Sequence, residues 1–348
     1  MMTSPDILTK YSAGAQDELR RVTECFPFRI SSYYRNLIRF SGDPIWRQAV
    51  PDLRELEDLE GLEDPLAEEA LSPVPNLVHR YPNRVLWLIS HECAMYCRFC
   101  TRKRRWEKPL PFTDEHFKGA LDYIGGNRNV KDVLLSGGDP LLLPLSRLEN
   151  ILAALRKIPH VEIIRIGSRI PCVDPGRITP ELAAMLSRYH PLFMNLHFNH
   201  PWEITPQSRK ACTLLADAGI PLGSQTVLLR DVNDQPEVLG ELFQQLLSLR
   251  VRPYYLLQMD LTRGTSHFRT PVATGLKIIH ALRNRISGLA MPHFVIDLPG
   301  GQGKIPLSPN YVQEINRSFI VFKDYRGERC EYPLLEGEEG ELRRWLVA

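Results

Sequence analysis

The sequence predicts an α/β protein built from six consecutive β/α units. From residue 84 onward, short apolar runs alternate six times with helical patterns. The runs are rich in β-branched or aromatic residues, as strands buried on both faces of a parallel sheet are. Six such units can form an open doubly wound sheet or a barrel, complete or partial. In either arrangement, chemistry is expected at the carboxyl ends of the strands.

The predicted strands are short and bounded by helix-start signals. They cover residues 84–90, 132–136, 161–168, 191–198, 222–229 and 253–259, and a further apolar run covers 293–297. Thr179, Thr205 and Thr270 each precede a proline, which places a capping oxygen before a residue with helical φ. Apolar side chains recur on one face of each helical pattern, so the helices are predicted to pack on the sheet.

The segments on either side of this core have a different character. Residues 1–78 predict a helical N-terminal region, residues 79–306 form the β/α core, and residues 307–348 predict a short C-terminal extension with a small hairpin. Within the N-terminal region, the acidic stretch over residues 52–70 is interpreted as a solvated helix or linker face.

Composition excludes several classes of protein. The chain is 43% hydrophobic and 24% charged, with a formal net charge of +2, so no general field draws it onto nucleic acid. No secretory signal or bilayer-spanning run is evident, which predicts a cytoplasmic protein. An odd number of cysteines in a reducing compartment argues for a metal site rather than disulfides. Four scattered cysteines are predicted to be ordinary packing residues: Cys25, Cys172, Cys212 and Cys330.

The other three cysteines, Cys93, Cys97 and Cys100, follow the first predicted strand within CAMYCRFCTRKRR. Three thiolates at this spacing can meet one soft metal centre, but they leave a tetrahedral set one ligand short. A structural zinc site would supply its fourth ligand at regular spacing. A [4Fe–4S] cluster would instead keep one iron open, and the spacing favours this interpretation over zinc or unligated core cysteines.

The motif CxxxCxxC, with an aromatic residue before its third cysteine and a β/α core around it, resembles the radical S-adenosylmethionine superfamily. The resemblance implies a partial (β/α)6 barrel, a [4Fe–4S] cluster and S-adenosylmethionine bound at the open iron. A second match is the turn after the second strand, which looks like the glycine-rich turn that contacts the amino group of S-adenosylmethionine. It consists of Ser136, Gly137, Gly138 and Asp139. Glycine permits close backbone approach there.

The turn that contains Lys304, DLPGGQGKIPLSPNYV, is open to two interpretations from its residues. It is not a phosphate loop, because Leu298 and Ile305 stand where GxxxxGK[ST] needs glycine and a hydroxyl residue. Lys304 is then either a solvated turn lysine or a Schiff-base lysine. Together with HRYPNRVLWLIS, LLSGGDPLL and RPYYLLQMDLTRG, the turn resembles the lysine 2,3-aminomutase family over residues 70–325. That resemblance implies that Lys304 carries pyridoxal phosphate.

The same resemblance implies roles for further residues. Arg80, Tyr81 and Arg84 lie against the coenzyme, where two arginines suit a phosphate dianion. Arg102 binds the α-carboxylate of the substrate, so the basic run at residues 102–105 is expected to bind an anion. His197 and Gln225 line the pocket that the two organic cofactors share.

Asp260 and Asp297 match the family positions that bind the distal ammonium of lysine. A buried ammonium needs carboxylates to offset its desolvation, and such a pair rejects the side chain of glutamate. The predicted reaction is therefore the interconversion of L-lysine and β-lysine. The alternatives are an aminomutase for glutamate or arginine, a radical enzyme that modifies RNA, and an iron–sulfur sensor or zinc-stabilised module.

The predicted partners are free L-lysine and an electron donor such as flavodoxin or ferredoxin, without nucleic acid or membrane. A homodimer is left open. The resemblance implies no structural zinc here, because the zinc-binding type of the family has a cysteine-bearing C-terminal tail, whereas this chain has only Cys330 in that region and Gln235 where the resemblance places the partner thiol.

Overall fold

The fold is seen in a computed structural model that describes residues 13–106 and 111–346. One mixed sheet holds nine strands in sequence order. Its strands are β1 (Leu77–Tyr81), β2 (Arg84–Ser90), β3 (Asp132–Gly137), β4 (Ile163–Ser168), β5 (Leu192–Leu196), β6 (Leu222–Leu228), β7 (Val251–Gln258), β8 (His293–Leu298) and β9 (Gly303–Leu307).

The strands from β2 to β8 are all parallel, and β1 and β9 add antiparallel edges. The prediction of a partial barrel is confirmed. The apolar run at residues 293–297 belongs to a seventh parallel strand, β8, in addition to the six predicted ones. The two edges approach each other, because the backbone N–H of Lys304 on β9 donates to the Tyr81 hydroxyl on β1 at 3.2 Å, and Arg80 of β1 forms an ion pair with Asp297 of β8. The sheet is therefore nearly closed.

Eleven helices of four residues or more lie within the described residues. They are α1 (Ala13–Cys25), α2 (Ser32–Arg35), α3 (Pro44–Ala49), α4 (Asp114–Gly126), α5 (Leu145–Arg156), α6 (Ile170–Val173), α7 (Pro180–Ser187), α8 (Pro206–Asp217), α9 (Pro236–Ser248), α10 (Val272–Leu282) and α11 (Glu339–Leu346). Within this part of the chain, no helix has both the length and the apolar character needed to cross a bilayer.

Two of the three predicted threonine caps are confirmed. The side chain of Thr179 accepts a hydrogen bond from the backbone of Leu182, and that of Thr205 accepts one from Ser208. The prediction for Thr270 is wrong, since α10 begins at Val272 after Pro271 and has no side-chain cap. Thr270 instead uses its carbonyl to accept a hydrogen bond of 2.7 Å from Gln258.

Alternation along the strands separates the packed core from the interior of the barrel. In β6 the residues at even positions, from Leu222 to Leu228, are buried, whereas Gly223, Gln225 and Val227 are partly exposed. The leucines belong to the same core cluster as the apolar face of α9. A Cβ at Gly223 would lie 3.5 Å from the side-chain oxygen of Asn195 on β5, so the partly exposed set faces inward.

The N-terminal region contains three helices, of which α1 and α3 are longer than one turn, and the strand β1. Its predicted helical character also covers residues 1–12, which lie outside the described residues. The acidic stretch at residues 52–70 is a solvated face only in part, since Glu57, Glu60, Glu63 and Glu69 are exposed. Glu55 and Glu68 are only 1% and 4% exposed. The boundaries at residues 78 and 306 stay predictions.

The C-terminal region forms a second sheet of three antiparallel strands, β10 (Val312–Ile315), β11 (Phe319–Lys323) and β12 (Arg329–Pro333). The predicted hairpin is the pair β11 and β12, with Phe319 opposite Pro333. Strand β10 and helix α11 were not predicted.

The scattered cysteines divide into two groups. Cys172 and Cys212 are buried, as predicted for packing residues. Cys25 and Cys330 are exposed, so the packing prediction was wrong for these two.

Candidate active site

The loop after β2 presents its three thiols on one side because its other residues are anchored. Met95 and Phe99 are buried, and Arg98 is completely inaccessible to solvent. The guanidinium of Arg98 donates to Glu55 at 2.9 Å and to the carbonyl of Pro27 at 2.9 Å. The N-terminal region therefore anchors the thiol loop through Arg98.

Cys93, Cys97 and Cys100 are partly buried and close enough to influence one another. Burial, together with the neighbouring Cys97, raises the pKa of Cys100 to about 11. Burial and the nearby Cys100 also raise the pKa of Cys93. Among the described residues, no three histidine, cysteine or acidic side chains converge on a point that would hold a single ion. Three thiols in one loop that are close enough to interact electrostatically are suited to hold an iron–sulfur cluster.

The glycine turn after β3 packs directly against the start of the thiol loop. A Cβ at Gly137 would lie 2.1 Å from the carbonyl oxygen of Ser90, and one at Gly138 would lie 2.1 Å from that of Glu92. Gly137 also has a φ of +129°, which disfavours other residues. The sequence prediction explained these glycines by contact with a cofactor. The structure shows that the backbone of the loop already requires them.

A cleft opens between this turn and the thiol loop. Cys93, Cys100, Arg102, Gly137 and Gly138 line it. The cleft therefore offers two cluster thiols beside backbone that no side chain covers, which fits a small polar molecule bound next to a cluster.

The other two residues of the turn lie elsewhere. Ser136 is in β3, and Asp139 is buried. Neither is among the side chains that line the cleft. The carboxylate of Asp139 accepts hydrogen bonds from the Ser168 hydroxyl at 2.8 Å and from the Arg169 backbone at 2.7 Å. Asp139 therefore positions the end of β4 in this structure.

Lys304 lies opposite Asp297 in the antiparallel pair of β8 and β9. Its Nζ forms an ion pair with Asp297, which Arg80 also contacts. Its backbone N–H donates to the Tyr81 hydroxyl at 3.2 Å. The turn before it needs glycine at 301, where φ is +75° and a Cβ would lie 2.4 Å from Leu71. The fold thus brings Lys304 and the predicted coenzyme residues Arg80 and Tyr81 together.

Asp260 follows β7 and interacts electrostatically with both Asp297 and Lys304. Burial, and then the negative charge of Asp297, raise its pKa from 3.8 to about 6, while Lys304 acts in the opposite direction. The sequence predicted that Asp260 and Asp297 share one end of a cavity. Their electrostatic coupling, and that of both with Lys304, agrees with this prediction.

The two predicted phosphate-binding arginines lie around the ring of Tyr81. The guanidinium carbons of Arg84 and Arg80 are 4.0 Å and 5.0 Å from the centre of that ring. Arg80 is paired with Asp297, whereas Arg84 has no ion pair among the described residues. An amine held by a carboxylate, with a cation near it that has no counter-ion, fits an aldehyde coenzyme that carries a phosphate.

Arg102 lines the cleft but is also held by a carboxylate that the sequence did not indicate. Its Nε and Nη2 donate to the Glu68 carboxylate at 2.9 Å and 2.6 Å. The neighbouring cations have acidic partners too, since Lys103 pairs with Glu55, and Arg104 pairs with Glu68. The idea that the whole basic run seats an anion was wrong. Among the described residues, two cations that line the cleft keep a nitrogen without a hydrogen bond: Arg102 at Nη1 and Arg105 at Nε.

His197 and Gln225, which were predicted to line the shared cofactor pocket, are not among the side chains of the cleft. The Nε2 of His197 lies 3.1 Å from the side-chain oxygen of Asn199, and its ring packs 5.5 Å from that of Phe99. Burial and then the charge of Arg169 lower its pKa to about 3, so the imidazole is neutral. Gln225 faces the interior of the barrel. Their roles stay predictions.

Sequence reasoning missed three functional neighbours: Glu55, Glu68 and Arg169. The two glutamates were visible as part of the acidic stretch, whose charge pattern was taken for a surface. Arg169 carried no signal, because it follows β4 outside any motif, yet its Nη1 lies 2.8 Å from the sulfur of Cys97.

The partial barrel and the three-thiol loop define a radical S-adenosylmethionine protein. The model of the radical SAM superfamily matches residues 87–242, and the model described as lysine-2,3-aminomutase matches residues 279–339. The chain is 50% identical to L-lysine 2,3-aminomutase of Clostridium subterminale over 334 residues, which cover 93% of this chain and 80% of that protein. This chain belongs to the lysine 2,3-aminomutase family.

Two further relatives span the range of the family. L-lysine 2,3-aminomutase of Methanococcus maripaludis is 51% identical over 321 residues, covering 90% of this chain and 74% of that protein. Glutamate 2,3-aminomutase of Clostridioides difficile is 40% identical over 337 residues, covering 94% and 79%. Family membership brings three cofactors: a [4Fe–4S] cluster, S-adenosylmethionine and pyridoxal phosphate.

Proposed function

We propose that this chain is a lysine 2,3-aminomutase, an isomerase that moves the amino group of L-lysine from C2 to C3 and gives β-lysine. The observation that carries the proposal is the pair of carboxylates beside Lys304, of which Asp297 is buried and Asp260 is partly buried. Two acids in a low-dielectric pocket favour a second positive charge. The names of the relatives at about half identity support the same substrate.

When bound, the cluster with S-adenosylmethionine supplies a carbon radical that removes hydrogen from the substrate, and pyridoxal phosphate carries the migrating amine. Cys93, Cys97 and Cys100 would hold the cluster. Lys304 would hold the coenzyme, with Arg84 at its phosphate. The side chains of the protein bind the substrate, orient it and exclude water from the site.

Arg102 is proposed to bind the α-carboxylate of the substrate through its Nη1. Glu68 occupies Nε and Nη2 and so fixes the orientation of the guanidinium. A bidentate pair of this kind leaves little freedom in the arginine side chain. The carboxylate of the substrate would then lie at the cleft that Cys93 and Cys100 line.

The far end of the substrate is proposed to contact Asp260 and Asp297. Lys304 forms an ion pair with the carboxylate of Asp297 in this structure. Lys304 and the substrate ammonium are therefore alternative partners for that carboxylate. Because burial and Asp297 raise the pKa of Asp260, an arriving ammonium also relieves the repulsion between the two acids. A substrate with a side-chain carboxylate would increase that repulsion instead.

An apolar cluster separates the thiol loop from water on one side of the site. Phe99, Met259 and Phe268 are buried in it, and Cys97 packs against it. Phe99 precedes Cys100 and Met259 precedes Asp260 in the sequence, so the cluster includes the neighbours of a thiol and of an acid. Excluding water there protects a reactive radical from side reactions.

The test is an anaerobic assay of the enzyme reconstituted with iron, sulfide, pyridoxal phosphate and S-adenosylmethionine. A low-potential one-electron reductant such as dithionite starts the reaction, and L-lysine, L-glutamate and L-arginine are compared by chromatography of their β-isomers. Formation of β-lysine, with little or no product from glutamate, is expected. Preferential turnover of glutamate or arginine would refute the assignment of the substrate and retain the class of reaction.

A further inference from the structure

Arg169 links the cluster loop to a buried carboxylate, although no motif includes it. Its Nη1 lies 2.8 Å from Sγ of Cys97, and its Nη2 lies 2.8 Å from Oε1 of Glu203. The residue is only 7% exposed. A cation that donates a hydrogen bond to a cluster thiol changes the electron density on the sulfur directly.

The fold holds this guanidinium in place from several sides. Asp139 accepts a hydrogen bond of 2.7 Å from the Arg169 backbone, which ties the residue to the turn after β3. Gln48 of α3 accepts one of 2.6 Å from Nη2, and Asn199 in turn donates to Gln48 at 3.0 Å. The Nη1 group is therefore directed at the sulfur before any cluster is bound.

Glu203 balances the charge of Arg169. It is completely buried, and its carboxylate also accepts from the Tyr34 hydroxyl at 2.6 Å and from the Asn199 backbone at 2.6 Å. The ion pair is neutral as a whole, but its N–H dipole points at the thiol. Hydrogen bonds to cluster sulfurs withdraw electron density and stabilise the reduced, more negative cluster.

We propose that Arg169 sets the reduction potential of the cluster, because its N–H···S hydrogen bond to Cys97 makes the cluster easier to reduce. In that step the cluster passes from the 2+ to the 1+ state by taking one electron from a low-potential one-electron donor. The inference rests on the cluster that the proposed function requires, but not on the identity of the substrate.

The experiment is a redox titration of the reconstituted enzyme with dithionite, followed by the electron paramagnetic resonance signal of the reduced cluster. Two variants are compared with the wild type: Arg169→Lys, and Arg169→Met combined with Glu203→Gln, which leaves no buried charge unpaired. The matched control is Arg165→Met, in the strand β4 that precedes Arg169, whose side chain donates to Asp132 at 2.8 Å toward the other end of the barrel.

We expect the double variant to lose a factor of about ten or more in the equilibrium constant for reduction. For a one-electron couple this lowers the potential by about 59 mV. The shift in Arg169→Lys should be smaller, since lysine keeps the charge, and the control should match the wild type.

An intact cluster at the wild-type potential in both Arg169 variants would overturn the proposal. Loss of the cluster from both variants, with the control still loaded, would also overturn it, because Arg169 would then be a structural residue. A wild-type enzyme that makes β-lysine while the variants keep its potential would refute this inference alone. A wild-type protein that assembles no cluster would refute the proposed function as well.

Discussion

Asp260 lies in a buried pocket beside a second carboxylate, and the substitution Asp260→Asn removes its charge at nearly constant shape. In the cofactor-free protein this change should increase the free energy of unfolding at neutral pH. The reason is that burial and Asp297 raise the pKa of Asp260 from 3.8 to about 6. The same charge is proposed to bind the substrate, so the substitution should exchange activity for stability.

The magnitude follows from the difference in pKa between the folded and unfolded states. Each pKa unit corresponds to about 1.36 kcal/mol, so a rise from 3.8 to about 6 costs about 3 kcal/mol once Asp260 is ionised in both states. A carboxyl with a raised pKa binds its proton more tightly when folded, so this stability is present below pH 3.8. It is lost as the pH rises through about 6. The asparagine variant should therefore be more stable by about 3 kcal/mol at pH 8 and by about half as much at pH 5.

The assay is urea unfolding of the cofactor-free protein at both pH values. The control is Asp217→Asn, whose exposed side chain pairs with Arg250 and should change stability by about 1 kcal/mol or less, equally at both values. If Asp260→Asn were no more stable than the wild type at pH 8, or if its advantage did not grow between pH 5 and pH 8, the two acids would not be coupled as described.

Three further substitutions test separate parts of the site. Glu68→Gln should raise KM for lysine about tenfold with a smaller change in kcat, because Arg102 loses its orienting partner, and steady-state kinetics will separate the two effects. Gly138→Ala should reduce the iron content and lower Tm by several degrees, since the new Cβ would overlap the carbonyl of Glu92. The control is Gly119→Ala, whose Cβ would have no atom within 4 Å, and it should change neither the iron content nor Tm. Lys304→Ala should abolish the visible absorbance of bound pyridoxal phosphate and leave the iron content unchanged; a variant that kept that absorbance would exclude Lys304 as the coenzyme lysine.

The parallel strands could be predicted from the sequence because burial on both faces leaves a local signature. Continuous apolar runs such as the one at residues 84–90 match β2 residue for residue. The edge strands could not be predicted in this way, because β1 and β9 are partly exposed and lack a long continuous apolar run. The cap at Thr270 failed because the helix begins two residues later, at Val272, with Pro271 at the N-cap position.

The chemistry of the site was only partly visible in the sequence. Cysteines, glycines and Lys304 belong to compact motifs, and family resemblance assigned their expected roles. The positioning partners are distant along the chain: Glu55 is 43 residues from Arg98, and Glu68 is 34 residues from Arg102. No local pattern distinguishes a glutamate that will be buried against an arginine from one that stays in water.

The most direct test of the account compares turnover of L-lysine by the reconstituted wild type, Asp260→Asn, Asp297→Asn and the surface control Asp217→Asn. Loss of one member of a buried charge pair costs about 3 kcal/mol or more, so kcat/KM should fall by about 100-fold or more in both site variants. The control should remain at the wild-type value. Turnover of lysine at the wild-type rate by either site variant, with cluster and coenzyme loaded, would contradict the claim that these two carboxylates select the substrate.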